Sequence, residues 1–196
     1  MQKSNLSHQN LIKIRCFIAI ELAREHKIDI DHYVSNLKNI SPSVRWINLT
    51  NIHITLKFLG DIEQRILGEV ISSLKLISEV FKPFTISIAG SGVFPGMKNP
   101  RVVWLGIKPD KDNRLITIYE WIENKLEQIG FAKEQRKFSP HLTIGRIKNP
   151  HHMGNLYDYM RDKPFPEKKL LVNEIILMQS VLKPSGAEYT ILDKFS

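Results

Sequence analysis

Cysteine is nearly absent from the sequence, where Cys16 is the only one among 196 residues. One thiol cannot form an intrachain disulfide, and low cysteine use is typical of reducing compartments, so we expect a cytoplasmic protein. Cys16 lies in the apolar pattern of residues 14–20, which predicts a buried, unreactive thiol on a strand. Lys13 and Arg15 interrupt the first apolar stretch, so it is neither a signal-peptide core nor a membrane span. We therefore expect no membrane partner.

Three common kinds of site are not indicated by the sequence. The sequence has no Gly-x-x-x-x-Gly-Lys-Ser/Thr pattern, which excludes a P-loop nucleotide site. A zinc site normally needs three or four ligands, so the adjacent pair His151 and His152 does not indicate one. Such a pair is typical of a solvated turn. No serine or cysteine is placed as a nucleophile beside a histidine, since Ser139 precedes Pro140 and is expected to serve a turn.

Acidic residues are fewer than basic ones. Twenty Asp and Glu stand against 28 Lys and Arg, which gives a formal net charge of +8. An excess of cations favours a polyanionic partner, with nucleic acid as the first candidate. Lysines on solvent-facing surfaces would account for part of the same excess, so charge alone does not decide the function.

A His-x-Thr-apolar motif occurs twice, at residues 53–56 and 141–144. Each copy lies in a run of β-forming residues followed by glycine, which predicts a strand. Successive side chains of a strand point to opposite faces, so His53 and Thr55 share one face. The intervening apolar residues, up to Phe58 in the first copy, are expected to pack into a core behind them.

Two such pairs on facing walls suit an in-line displacement at phosphorus. The attacking and leaving oxygens lie on opposite sides of the phosphorus atom, so a base and an acid are needed on opposite sides too. With ordinary pKa values near 6.5, His53 and His141 can supply one of each. Thr55 and Thr143 can donate hydrogen bonds to the non-bridging oxygens as charge develops on them.

The apolar periodicity predicts an internal duplication. Helices are predicted over residues 22–40, 62–77, 115–129 and 156–161. Strands are predicted over residues 14–20, 84–88, 101–107, 170–182 and 187–192, besides the two His-x-Thr strands. Each half of the chain thus runs strand, helix, His-x-Thr strand, helix, strand, and two sheets with helices on their outer faces would enclose a cleft.

Several boundaries follow from local signals. Residues 1–10 are polar and expected to be disordered, whereas residues 11–196 are expected to form a single two-lobed domain. Gly60 and Asp61 are predicted to end the first His-x-Thr strand, with Asp61 and Gln64 forming a helix capping box. Residues 90–100 are predicted to be a loop between the lobes. Residues 183–186 are a predicted turn.

The sequence resembles the RNA 2′,3′-cyclic phosphodiesterases, historically called 2′-5′ RNA ligases, of the two-histidine phosphoesterase superfamily. The resemblance runs from Arg15 to about Phe195 and includes more than the paired motifs. Its further segments are Arg-Trp at 45–46, Lys-Phe-Leu-Gly at 57–60, Gly-Val-Phe-Pro at 92–95, Arg-Val-Val-Trp-Leu-Gly at 101–106, Phe-Ser-Pro-His at 138–141 and Met-Gln-Ser-Val-Leu-Lys-Pro-Ser-Gly-Ala at 178–187.

The resemblance implies an α+β fold that is bilobal, with two pseudo-symmetric antiparallel sheets around a central cleft. It implies a substrate that is RNA with a 2′,3′-cyclic phosphate end, or a small cyclic nucleotide, which is opened to a 2′-phosphate. His53 would be the proton donor to the leaving 3′-oxygen and His141 the acceptor from water. No metal and no nucleotide cofactor would be used, a monomer is expected, and weak ATP-independent 2′-5′ joining of RNA would follow the same chemistry.

Four further side chains are candidates around the cleft. Arg146 matches a residue that helps to bind phosphate in the family, but strict alternation points it away from His141, so it requires a twist or bulge. Lys57 is predicted on the His53 face, from which it would reach a phosphate or line the rim. Phe17 and Phe138 are candidate stacking surfaces for a base.

Two alternatives remain open from the sequence. One is a module that binds nucleotides or RNA in the same cleft without turnover. The other is a related hydrolase that acts on 2′-5′ oligoadenylate or on ADP-ribose cyclic phosphate. Identification of the product formed from a 2′,3′-cyclic nucleotide separates these alternatives from the main interpretation.

Overall fold

A computed structural model describes residues 12–196 of the protein. The expectation of disorder for residues 1–10 therefore lies outside the described residues. The helices are α1 (Arg24–Lys38), α2 (Leu67–Lys75), α3 (Arg114–Glu127) and α4 (Leu156–Asp162). The strands are β1 (Lys13–Glu21), β2 (Val44–Trp46), β3 (His53–Glu63), β4 (Phe84–Phe94), β5 (Val102–Lys108), β6 (His141–Ile147), β7 (Lys168–Val172), β8 (Ile175–Lys183) and β9 (Gly186–Phe195).

The strands form two antiparallel half-sheets that meet at the His-x-Thr strands. The first half-sheet has the order β9-β8-β1-β3 and the second has the order β6-β5-β4-β7. They are joined by one residue pair, Ile54 with Leu142. Beyond this pair, the edge of β6 is taken by β2, whose Trp46 pairs with Gly145. The His-x-Thr strands can therefore diverge, and the predicted α+β, antiparallel, two-lobed fold is confirmed.

The half-sheets are not built from separate halves of the chain, which corrects one detail of the duplication. β4 belongs to the first repeat but pairs with β5 in the second half-sheet. β8 belongs to the second repeat but pairs with β1 in the first half-sheet. Each repeat thus sends its last strand across the molecule, and these crossovers tie the half-sheets together.

The core lies between the sheet and the helices. It is one buried cluster to which both half-sheets and all four helices contribute. In α3 the predicted apolar stripe is buried, and it comprises Leu115, Ile118, Ile122 and Leu126. A small second cluster lies on the other face of the first half-sheet, where Phe17 and Met178 pack with Tyr189 at the edge of the cleft. Cys16 is buried, as predicted, and burial raises its pKa to about 11.

Two predicted element boundaries around the second half-sheet were wrong. The expected loop over residues 90–100 is strand as far as Phe94, because a bulge with Gly90 at φ 72° lets β4 continue. The expected strand over residues 170–182 is two strands, β7 and β8, which pair in different half-sheets. The predicted turn before β9 is confirmed.

The prediction that Asp61 caps a helix was also wrong. β3 continues through Gly60 to Glu63, and the carboxylate of Asp61 accepts two hydrogen bonds from the guanidinium of Arg15, at 2.8 and 2.9 Å. The helix that follows begins only at Leu67, after a single 3-10 turn. In residues 12–196, no helix combines the length and the apolar character that crossing a bilayer requires.

Candidate active site

The two His-x-Thr motifs lie side by side where the half-sheets meet. Ile54 of β3 pairs with Leu142 of β6, and both side chains are buried in the core. Extending this antiparallel pair by one residue places His53 opposite Thr143, both half-buried. Because side chains alternate along a strand, the His-x-Thr side chains share the face opposite the core.

The same register places Thr55 opposite His141, so the histidines occupy a diagonal of the two strands. Diagonal neighbours on an antiparallel pair lie about 7–8 Å apart, with their Cβ atoms somewhat closer. The strands share only this one residue pair, so they are free to separate beyond it. The register thus brings His53, Thr55, His141 and Thr143 to one face where the half-sheets meet, and their role in a shared cleft stays a prediction.

Both imidazole rings are held in the same way. Nδ1 of His53 lies 2.9 Å from the carbonyl oxygen of Asn51, and Nδ1 of His141 lies 2.8 Å from that of Ser139. A carbonyl can only accept a hydrogen bond, so Nδ1 donates in each ring. Nε2 is therefore the nitrogen that is left free to gain or lose a proton in each ring.

Aromatic rings surround the histidines unequally. Phe17 stacks on His53 with ring centroids 4.6 Å apart, and Tyr189 meets the same ring edge-on at 5.3 Å. His141 contacts Phe94 edge-on at 5.0 Å. The enclosure of His53 lowers its pKa from 6.5 to about 4, because burial disfavours the charged ring. The hydrogen bond to Asn51 raises the pKa, but by less than burial lowers it.

Arg146 reaches the cleft face by the bulge that strict alternation required. The register between β5 and β6 shifts between Val103 and Trp104, which leaves Ile144 without a partner on β5. The extra residue reverses the alternation, so Arg146 is exposed on the face that carries His141. Its charge also acts on Tyr189, whose pKa is raised by burial and lowered by Arg146.

Lys57 is not in the predicted place. A matching bulge in β3 leaves Leu56 unpaired between Thr55 and Lys57, so the face predicted for Lys57 was wrong. Lys57 is 6% exposed, and its ammonium group donates to Glu123 at 2.7 Å and to the carbonyl oxygen of Ala132 at 2.9 Å. Its charge is thus neutralised by Glu123 in the interior.

The structure also changes the predictions for three phenylalanines. Phe17 is 2% exposed and supports the ring of His53, so it offers no face to a base. One face of Phe138 is covered by Tyr119, at a centroid distance of 3.9 Å. Phe58 was predicted to be in the core, but the bulge turns it outward and leaves it 73% exposed.

Several groups that shape the site were not predicted as site residues from the sequence. The carbonyls of Asn51 and Ser139 act through the backbone, and only their equal spacing from the two histidines hints at a role. Tyr189, Phe94 and Glu123 approach from distant segments. In residues 12–196, no group of three or more His, Cys, Asp and Glu side chains is placed to hold a metal ion.

Comparison with solved structures supports the class of fold. TT0787 of Thermus thermophilus superposes with a TM-score of 0.78 at 23% identity, over 93% of this chain and 97% of the other. E. coli LigT complexed with 3′-AMP gives a TM-score of 0.73 at 23% identity, over the same shares. The chain has the fold of LigT-type phosphoesterases.

Sequence comparison identifies the family. The profile of the 2′-5′ RNA ligase superfamily matches residues 29–183, and the chain belongs to that superfamily. A relative from Thermotoga maritima is 32% identical over 91% of this chain and 93% of its own length. One from Methanothermobacter thermautotrophicus is 31% identical over 94% and 99%. Both relatives are named RNA 2′,3′-cyclic phosphodiesterase.

Proposed function

We propose that this protein hydrolyses the 2′,3′-cyclic phosphate at the end of an RNA to a 2′-phosphate. The observation that carries the proposal is the diagonal placement of His53 and His141, with both Nδ1 atoms hydrogen-bonded and both Nε2 atoms left for proton transfer. The names of the similar proteins from Thermotoga maritima and Methanothermobacter thermautotrophicus support the choice of substrate.

The reaction needs one proton acceptor and one proton donor. Nε2 of His141 accepts a proton from water as the water oxygen forms a bond to phosphorus. The bond from phosphorus to the 3′-oxygen breaks on the opposite side, and Nε2–H of His53 gives its proton to that oxygen. The product is a 2′-phosphate with a free 3′-hydroxyl. If an RNA 5′-hydroxyl replaced water, the same steps would join two ends through a 2′-5′ bond without ATP.

Three further side chains stabilise the charge on the phosphate. The hydroxyl groups of Thr55 and Thr143 donate to the non-bridging oxygens. The guanidinium of Arg146 lies on the same face and binds the phosphate as a cation with several donors. The scheme uses these groups alone and draws on no metal or nucleotide cofactor.

Because the pKa of His53 is lowered, His53 can act as proton donor only if the bound substrate raises that pKa. With a pKa of about 4, a ring is mostly neutral at pH 7, whereas a donor must carry a proton. A phosphodiester anion beside the ring favours the imidazolium form and raises the pKa. We therefore propose that binding of the anion completes the protonation of His53. NMR titration of His53 with and without a 2′-nucleotide tests this, and an unchanged pKa would reverse the two histidine roles.

The site is complete within one chain, which supports a monomer as the working unit. The buried single thiol, Cys16, fits the proposed cytoplasmic location, since it neither forms nor needs a disulfide.

The test of the proposed function is a product assay. The protein is incubated with a 2′,3′-cyclic nucleotide in the presence of EDTA, and the product is identified by chromatography. We expect a 2′-nucleotide and full activity in EDTA. A 3′-nucleotide, or loss of activity on chelation, would contradict the mechanism, and the absence of any turnover would favour a module that only binds.

A further inference from the structure

A groove leads away from the candidate active site on the His141 side, and we call it the aromatic groove. Its volume is ≈ 750 Å³, and it opens at Thr55 and His141. Its other main lining residues are Phe58, Phe94, Tyr119, Lys133, Lys137 and Phe138. One wall is β3, and the other is the segment over residues 131–138 that leads into β6.

Phe58 is the most exposed large aromatic side chain described in this part of the fold. It is 73% exposed, although its neighbours on either side in β3 are buried. Its nearest aromatic contact is tilted, with a centroid distance of 6.1 Å to Phe17. An exposed aromatic ring that lines a cleft presents a face on which a nucleic-acid base can stack.

The segment opposite Phe58 is basic. Residues 131–140 contain Lys133, Arg136 and Lys137 against one carboxylate, Glu134, a net charge of +2. Lys133 pairs with Glu127, and Arg136 pairs with Glu134. Lys137 is exposed and has no ion-pair partner among residues 12–196. The groove therefore offers an exposed cation across from an aromatic face.

The wall of the groove is rigidly held. Glu123 accepts hydrogen bonds from Lys57 at 2.7 Å and from the backbone N–H of Glu134 at 3.1 Å. The stacked rings of Tyr119 and Phe138 are nearly parallel, at 7°. The basic segment is thus bound to both α3 and β3, and a ligand in the groove meets a preformed surface.

We propose that the aromatic groove binds the nucleotide next to the terminal one in an RNA substrate, with its base against Phe58 and its phosphate near Lys137. This inference rests on the proposed function. Aromatic faces combined with cations are the usual means of binding single-stranded nucleic acid without sequence preference. A strand whose end lies between His53 and His141 must leave the site along its surface, and this groove begins there.

The test compares two substrates in one pair of variants. kcat/KM is measured for a 2′,3′-cyclic mononucleotide and for an oligoribonucleotide that ends in a 2′,3′-cyclic phosphate. We expect Phe58→Ala to lower the ratio of oligonucleotide to mononucleotide kcat/KM by about tenfold, the effect of one lost base stack. Phe58→Trp should keep the ratio, because it keeps a stacking face.

The matched control lies in the other groove beside the cleft. Leu182 is similarly exposed, at 67%, and it lies with Arg45 and Lys183 on the Arg146 side. Leu182→Ala is expected to leave the substrate ratio unchanged. A fall in that control equal to the fall in Phe58→Ala would overturn the proposal, as would an unchanged ratio in Phe58→Ala.

The ionic contact has its own measurement. Lys137→Ala should flatten the salt dependence of log kcat/KM by about 0.7 for the oligonucleotide, the value for one lost contact to a single-strand phosphate. An unchanged slope would remove Lys137 from the contact. Turnover of the mononucleotide by the unmodified protein tests the proposed function separately, so the two proposals can fail independently.

Discussion

The strands β3 and β6 carry the same His-x-Thr pattern up to a bulge in each strand, and their side chains differ after the bulge. In each, a histidine is followed two residues later by threonine, and the third residue after the histidine, Leu56 or Ile144, is left unpaired by the bulge. The fifth residue after each histidine is turned outward, Phe58 in β3 and Arg146 in β6. One duplicated backbone thus presents an aromatic ring on one side of the site and a cation on the other.

The fourth residue after each histidine, Lys57 in β3 and Gly145 in β6, also differs, and the difference explains what packs beside each strand. Lys57 in β3 is buried in an ion pair with Glu123 and reaches the opposite segment of the aromatic groove. Gly145 in β6 has no side chain, and a Cβ there would lie 2.6 Å from Val44 and 3.1 Å from the ring of Trp46. β2 can therefore pack on β6, which displaces β3 and opens the cleft. The duplication supplies the two His-x-Thr pairs, and the differences supply the side chains around them.

The largest effect is expected from removing either histidine. His53→Ala and His141→Ala should each lower kcat/KM for a 2′,3′-cyclic nucleotide by at least about 100-fold, because each removes a proton-transfer group. In the double variant, the fold-loss of kcat/KM should be smaller than the product of the two single fold-losses, since the two residues act as a unit. Near-full activity in either single variant would remove that residue from the scheme.

The fourth positions are compared by stability. Lys57→Met should lower the free energy of unfolding by about 3–5 kcal/mol, because Glu123 is left as a buried charge without its partner. Urea denaturation measures the change. Lys57→Met combined with Glu123→Leu should recover part of the loss. A change below about 1 kcal/mol in Lys57→Met would show that the pair is not buried as described.

The unequal enclosure of the histidines predicts a dependence of stability on pH. The pKa of His53 is about 4 in the folded chain and about 6.5 when unfolded, so between these values the unfolded chain binds the extra proton. Stability is thus intact above pH 6.5 and falls as the pH is lowered towards 4. We expect His53 to account for about 2–3 kcal/mol of the loss by pH 4.5.

His53→Gln is the matched variant for this prediction. Its free energy of unfolding should change less between pH 7 and pH 4.5 than that of the unmodified protein. Equal changes in the two proteins would mean that His53 titrates in the folded chain as it does in the unfolded one.

The fifth positions are compared by activity on a mononucleotide. Arg146→Ala should lower kcat/KM by about 10- to 100-fold, since it removes a donor and a charge from the transition state. Arg146→Lys should recover part of the rate by keeping the charge. If Arg146→Ala changes only the oligonucleotide reaction, Arg146 binds the strand and not the reacting phosphate.

The faces of the His-x-Thr strands were predictable because their period of two is uninterrupted from His53 to Leu56 and from His141 to Ile144. The sequence predicted Arg146 on the His141 face only if β6 contained a bulge. Because the motif is duplicated, a bulge at the equivalent place in β3 would have been predicted to turn Phe58 outward and Lys57 inward. The bulge itself depends on how a neighbouring strand pairs, and a single strand's sequence does not contain that information.

The crossovers of β4 and β8 were beyond sequence reasoning for a related reason. Alternation indicates that a segment is a strand, but its partner is chosen by the packing of the whole sheet. The bulge at Gly90 likewise reads as a loop in the sequence, because glycine is common in both. The pKa of His53 is lowered by burial. Its ring contacts Tyr189, which is 136 positions away, so this burial follows only from the assembled fold.

A crystal structure with a bound 2′-nucleotide tests the central claim most directly. We expect the phosphate between the rings, with its oxygens about 3 Å from Nε2 of both His53 and His141, and with Thr55 and Thr143 donating to it. A phosphate that contacts only one of the two rings, or that lies beside Arg45 and Lys183 instead, would contradict the account.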